Sequence, residues 1–228
     1  VLDARYHKKR LVRRDVIYRL KRRTSEVERA IRRFSVGMDC LDVGAADGAM
    51  LSELKSRIKL RRATGIEKSK DLIAFGKGVE LIAGDAQDLP FADKSFDIAV
   101  ASALIEHVDS PATVVDELVR VLRDDGIVVV TFPTPLHNII GRCMFYIPRG
   151  EHKYFVKMEW LSSLFERAGL EVVYKGGFMV CPFFRMPSEQ KVETFLNRIG
   201  LGMAMSNQVI VGKAVADLNP APKTKPCR

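Results

Sequence analysis

From residue 39 onward, short β-branched runs alternate with amphipathic helical stretches, and this alternation leaves few architectures open. Runs at 39–44, 63–67, 79–83, 96–101, 127–132, 170–174 and 206–213 read as seven strands. Between them, apolar residues recur every three or four positions. Leu51, Leu54 and Ile58 mark a helix over 49–58, and further helices are expected at 71–75, 110–123, 160–168 and 189–199. Ser110-Pro111 supplies an N-cap and a first-turn proline for the helix at 110–123, and Asp124-Asp125-Gly126 is expected to stop it. A strand that rejoins its sheet through a helix pairs in parallel. The expectation is therefore one α/β domain, with a doubly wound, mostly parallel sheet covered on both faces.

The net charge of +9 is unevenly placed. Residues 1–35 hold 13 Lys/Arg against 4 Asp/Glu, which leaves 24 of each sign in the remainder. Within that head, Val12, Val16, Leu20, Val27, Ile31 and Phe34 recur at helical spacing, so 1–36 reads as a basic helical segment. Its apolar row could cover the sheet, and its charge would suit an anionic membrane surface through residues 5–33. Nucleic acid is the weaker expectation, because only Tyr6 and Tyr18 interleave with those charges. Cys40, Cys143, Cys181 and Cys227 lack metal or disulfide spacing, which favours a cytoplasmic location, with peripheral membrane attachment as its extension. Residues 214–228, punctuated by Pro220, Pro222 and Pro226, read as a disordered tail.

Open parallel sheets bind ligands beyond the carboxyl ends of their strands. The first strand-to-helix turn is Asp42-Val43-Gly44-Ala45-Ala46-Asp47-Gly48, in which Gly44 and Gly48 permit a tight path and the next helix offers N–H groups. A dinucleotide fingerprint would place glycines at 44, 46 and 49. Ala46 and Ala49 occupy the last two, which argues against a pyrophosphate cradle. Carboxylates stand there instead: Asp42 near the end of the first strand, Glu67 at the end of the second, and Asp85 after the third. Such a set suits an amine, a ribose diol and an adenine amino group, and repels polyphosphate.

With Leu89-Pro90-Phe91 and Phe96-Asp97-Ile98-Ala99-Val100 at matching intervals, residues 37–213 resemble the class I S-adenosylmethionine-dependent methyltransferases of the type 11 group. The resemblance implies a Rossmann-like fold with an antiparallel last strand, S-adenosyl-L-methionine as cofactor and S-adenosyl-L-homocysteine as product. It also implies roles: Asp42, Gly44, Ala45 and Gly48 for the methionine part, Glu67 for both ribose hydroxyls with Lys68 beside it, Asp85 and the backbone of Ala86 for adenine. Ala101 and Ser102, at the end of the fourth strand, complete the implied cofactor set. Ala46 departs from the family's glycine, and is expected to be tolerated only if it avoids positive φ.

The fourth strand leads into Ala101-Ser102-Ala103-Leu104, without the Asn/Asp-Pro-Pro-aromatic signature of nucleobase-amino methyltransferases. Ile105-Glu106-His107-Val108 and the stretch at 147–155 locally resemble the O-methyltransferases of ubiquinone synthesis. Some of those hold a divalent metal through a glutamate where this chain has Ala103, so no metal is expected. Segments at 133–157 and 176–188 are Pro/Gly-punctuated and rich in Met and aromatic residues, which suits a small or lipophilic acceptor. The expected reaction is methyl transfer to an oxygen in preference to a carbon. The alternative is an RNA methyltransferase or a non-catalytic cofactor-binding adaptor working through the basic helix. His107 and His152 are the candidate bases, His7 reads as part of the solvated head, and His137 as part of the apolar insertion.

Overall fold

The computed structural model describes residues 7–8, 12–76, 78–137, 139, 153, 155–184 and 186–215. Its strands are β1 (Asp39–Val43), β2 (Arg62–Glu67), β3 (Glu80–Ala83), β4 (Phe96–Ser102), β5 (Leu122–Pro133), β6 (Leu170–Phe178) and β7 (Asn207–Ala214). They form one sheet in the order β3-β2-β1-β4-β5-β7-β6. The pairs from β3 through β5 are parallel, and β7 runs antiparallel to both β5 and β6. The order therefore reverses between β1 and β4, and their carboxyl ends frame the crevice where such sheets take ligands.

Period-two alternation divides the core into two layers. Leu41, Val43, Ala99, Ala101, Val128 and Val130 face α4 (Pro111–Arg120) and α5 (Met158–Arg167), which supply Val114, Leu118, Leu161 and Phe165. Cys40, Ile98, Val100, Ile127, Val129 and Val211 face the other way, toward α1 (Arg14–Phe34) and α2 (Ala49–Arg57). Helix α1 buries Val27 and Ile31 completely, worth about 1.5–3 kcal/mol each. The apolar row of the basic head thus covers the sheet. Its polar side is clamped to α6 (Glu189–Arg198): the Tyr18 hydroxyl donates to Glu189 at 2.6 Å, and Arg22, almost wholly buried, donates to Glu193 Oε1 at 2.5 Å. Among the described residues, no helix is long and apolar enough to cross a membrane.

Several element boundaries differ from expectation, and β5 takes in Asp124-Asp125-Gly126, expected as a helix stop, because it starts at Leu122 and not at 127. Helix α4 ends at Arg120 and not at 123, because the Arg120 guanidinium is fixed by the Leu89 and Phe91 carbonyls and by Glu117 and Asp93, and Leu122 already pairs with Phe96 in β5. Strand β6 runs to Phe178, past the expected 174, so residues 176–178 of the expected insertion are sheet. Gly177 makes this feasible, since a Cβ there would lie 2.1 Å from the Gly202 carbonyl oxygen. Residues 138, 140–152 and 154 of the other expected insertion, and 216–228 of the expected tail, lie outside the described residues.

Candidate active site

The turn after β1 is tied to β2 by its own backbone: the Gly44 and Ala45 N–H groups both donate to the Ile66 carbonyl, at 2.9 and 3.0 Å. Gly44 and Gly48 adopt φ of +77° and +71°. A Cβ at Gly44 would sit 2.9 Å from Leu104 Cδ1, and one at Gly48 2.9 Å from Val79 Cγ2, so both positions need glycine for conformation and for space. Ala46 overturns the expectation set for it, because its φ is +53°. The conformation turns the Ala46 N–H onto Glu67 Oε2 at 2.9 Å, while Ser69 N–H donates to Oε1 at 2.9 Å. Two backbone donors thereby fix the nearly buried Glu67 carboxylate, and each oxygen keeps a second lone pair for an incoming hydroxyl.

Around this turn the expected acids gather. Asp42 is buried in β1, opposite Gly65 of β2 and Val100 of β4. Asp85 accepts from Lys68 Nζ at 2.8 Å and from the Gln87 N–H at 2.9 Å, and these bonds, Lys68 first, hold its carboxyl below the usual range. Lys68 thus orients Asp85. Ala86 is half-buried against the core.

His7 was legible only as a solvated residue, and this is a second correction. Its Nδ1 lies 2.7 Å from Asp47 Oδ2, and its ring stacks on Phe75 with centroids 4.1 Å apart. No sequence signal joins positions 7, 47 and 75. The head consequently meets the glycine turn as well as the sheet.

At the end of β4, Ala101 is buried and the Ser102 hydroxyl shares a 2.8 Å hydrogen bond with that of Thr131. Ala103 follows at φ +53°, its N–H donating to the Thr131 carbonyl at 2.8 Å. A tight turn, Ile105–His107, comes next. Glu106 is 1% exposed, and burial raises its carboxyl pKa against the opposing charges of His107 and Arg23. His107, about a third exposed, has Nε2 3.9 Å from Glu106 Oε1. Lys153 joins the turn, donating its N–H to the Glu106 carbonyl at 2.8 Å and pairing its ammonium with Asp109. His152 lies outside the described residues. Beyond β5, the His137 N–H donates to Thr134 Oγ1 at 3.1 Å, and burial, then the Arg19 and Arg23 charges, push its imidazole down to about 4. Glu106, Arg23 and His137 had no place in the sequence-based site.

Residues 41–130 match the family model described as a methyltransferase domain. That stretch is a methyltransferase domain, and the relatives that share it include S-adenosylmethionine-dependent methyltransferases. Among its relatives, an uncharacterised protein of Methanocaldococcus jannaschii is 26% identical over 65% of this chain and 67% of its own length. A fatty-acid O-methyltransferase of Mycolicibacterium smegmatis is 36% identical over 45% of this chain and 40% of its own. The chain therefore spans well under the whole length of that second relative. In solved structures, a chain from the complex between the Haloferax volcanii Trm112 methyltransferase activator and a methyltransferase superposes with a TM-score of 0.70 at 18% identity, covering 94% of this chain and 99% of that one. At that identity the likeness is one of fold. The cofactor this methyltransferase family implies fits the residues present: a tight turn that only glycine at 44 and 48 allows, a carboxylate fixed by two backbone N–H groups at Glu67 for a diol, and acids at Asp42 and Asp85 in place of a phosphate cradle.

Proposed function

We propose that the methyltransferase moves the methyl group of S-adenosylmethionine to an oxygen of a small or lipophilic acceptor. The observation that carries the reading is the Glu67 carboxylate bonded to the Ala46 N–H of the glycine turn, with Asp42 on the neighbouring strand β1 and Asp85 two residues past Ala83, the β3 partner of Glu67. When bound, the cofactor supplies a methyl carbon already activated by its sulfonium, which leaves the protein to bind, orient and, where required, remove a proton. Glu67 would take the ribose hydroxyls, the Gly44–Gly48 backbone the methionine part, and Asp85 with Ala86 the adenine. His107 and His152 are the proposed bases for a hydroxyl that has to lose its proton. An oxygen acceptor is supported by the absence of a planar-amine signature at 101–104 and by the likeness to the fatty-acid O-methyltransferase. Contact of the head with an anionic membrane is supported by exposed Arg13, just before α1, and by exposed Arg14 and Lys21 on it.

Calorimetry with S-adenosylhomocysteine tests the cofactor site. Glu67→Ala should weaken binding by about 2–3 kcal/mol, as expected for a charge-assisted grip on two hydroxyls. Unchanged affinity in Glu67→Ala and in Asp85→Ala would refute the assignment. Mass spectrometry of lipid extracts incubated with enzyme and cofactor then reads which compounds gain one methyl group.

A further inference from the structure

Helix α6 is amphipathic in the inverted sense. Glu189, Glu193 and Asn197, at every fourth position, face the protein: Glu189 accepts from the Tyr18 hydroxyl at 2.6 Å, Glu193 from the Met179 N–H at 2.6 Å, and Asn197 from the Gly177 N–H at 2.8 Å. Val192, Phe195 and Ile199, at i, i+3 and i+7, share a different side and are exposed, Phe195 at 60%. A helix of a globular protein ordinarily sets these rows the other way round. Leu201 and Met203, in the turn that follows, are exposed as well. That turn leads into β7, whose first residue, Asn207, pairs with Pro133 at the carboxyl end of β5, and the Thr134 N–H donates to the Ser206 carbonyl at 3.1 Å. The apolar turn therefore stands at the rim where this sheet takes ligands. Cations border the row. Two clefts of about 350 and 460 Å³ share Gln190 and Lys191: the first runs past Phe195 and Arg198, and the second reaches Lys21 of α1 and Arg57 of α2. Lys21, Lys191 and Arg198 are exposed.

Resting on the lipophilic acceptor and the membrane contact of the head argued above, we propose that α6 and the turn after it are the element that enters an anionic bilayer. Phe195 and Ile199 lie among the acyl chains, and Lys191 and Arg198 meet the lipid phosphates beside Lys21 of the head. Charge complementarity selects this occupant. A second copy of the chain, meeting the same face across a two-fold axis, would set these cations against one another. A bilayer offers tails to the apolar row and phosphates to its border. The carboxyl rim of the sheet then lies at the membrane, and a lipophilic acceptor reaches it without crossing water.

The test uses the full chain with phosphatidylcholine vesicles, with and without phosphatidylglycerol. Co-sedimentation should show binding to the anionic vesicles. Phe195→Ser combined with Ile199→Ser should weaken it about tenfold or more, with thermal midpoint and S-adenosylhomocysteine affinity unchanged. Lys191→Gln combined with Arg198→Gln should make the binding more easily removed by salt. In Phe195→Trp, lipids with brominated acyl chains should quench the added indole beyond the quenching of the wild-type chain, whose one tryptophan, Trp160, lies on α5. Full vesicle binding by the serine variant, or no added quenching in Phe195→Trp, would overturn the insertion. If binding is then lost in Arg14→Gln with Lys21→Gln, the contact of the head stands without it. Quenching that survives those two head substitutions with undiminished binding would support the insertion and count against the head alone. A chain that is dimeric in sedimentation equilibrium and monomeric in the serine variant would assign the face to a second copy and overturn the proposal. Failure of the wild-type chain to bind S-adenosylhomocysteine would count against the methyl-transfer reading and leave the vesicle result standing separately.

Discussion

Ala46 holds a left-handed backbone, a conformation that costs an L-residue about 1–2 kcal/mol relative to glycine. What retains it is the 2.9 Å hydrogen bond from its N–H to Glu67, which at the same time aims that carboxylate. Ala46→Gly should therefore raise unfolding free energy in urea by about 0.5–1 kcal/mol, the relief of strain being partly cancelled by the entropy of an unfolded glycine. Gly48→Ala should lower it, because a Cβ there meets Val79 at 2.9 Å under a positive φ. The sequence announced a departure at 46 but not its geometry. The reason lies 21 positions away, in a carboxylate that local pattern cannot place. Ala103 and Met179 share the same kind of backbone, at φ +53° and +64°, and Ala103 likewise stands at a strand's carboxyl end beside the site.

Helix α1 was readable as a helix, since its apolar row survives among the arginines, yet its polar row was misleading. Tyr18, Arg22 and Glu26 have the spacing of a solvated face, and they become an interior face only when α6 brings Glu189 and Glu193. Arg22 is then buried between them, 3.7 Å from Glu189 and 2.5 Å from Glu193. Glu193→Ala removes the nearer partner, along with the acceptor for the Met179 N–H at 2.6 Å, and leaves a buried guanidinium with one distant counter-charge. Chemical denaturation should register a loss of about 3 kcal/mol. Replacing Arg22 and Glu193 together by leucine should cost less than Glu193→Ala alone, because no charge is then stranded.

Across the molecule, a charge cluster closes the amino end of the sheet. Asp39 at the start of β1 accepts from Arg61 at 2.5 Å and from Arg123 of β5 at 2.9 Å, and Arg123 also reaches Asp97 of β4 at 2.8 Å. The Arg61 hydrogen bond, then that of Arg123, hold the Asp39 carboxyl down to about 2. A depressed carboxylate stabilises the fold above its unfolded pKa of about 4 and loses that contribution as pH falls toward 2. Urea midpoints should drop across that interval, and Asp39→Asn should flatten the drop while lowering stability at neutral pH. The sheet and its glycine turn were legible in sequence because they follow local period and motif. The charge clusters and the His7, Asp47 and Phe75 contact were not, because each joins segments that only the finished topology makes neighbours. One strand governs when that topology closes. Strand β7 lies between β5 and β6 and buries Val209, Ile210 and Val211. As the chain is synthesised, β5 must wait more than seventy residues with an open hydrogen-bonding edge before β7 emerges to seal it. Until then the nascent chain offers its most apolar strand to any other extended segment, which makes this interval the one in which a chaperone has most to protect.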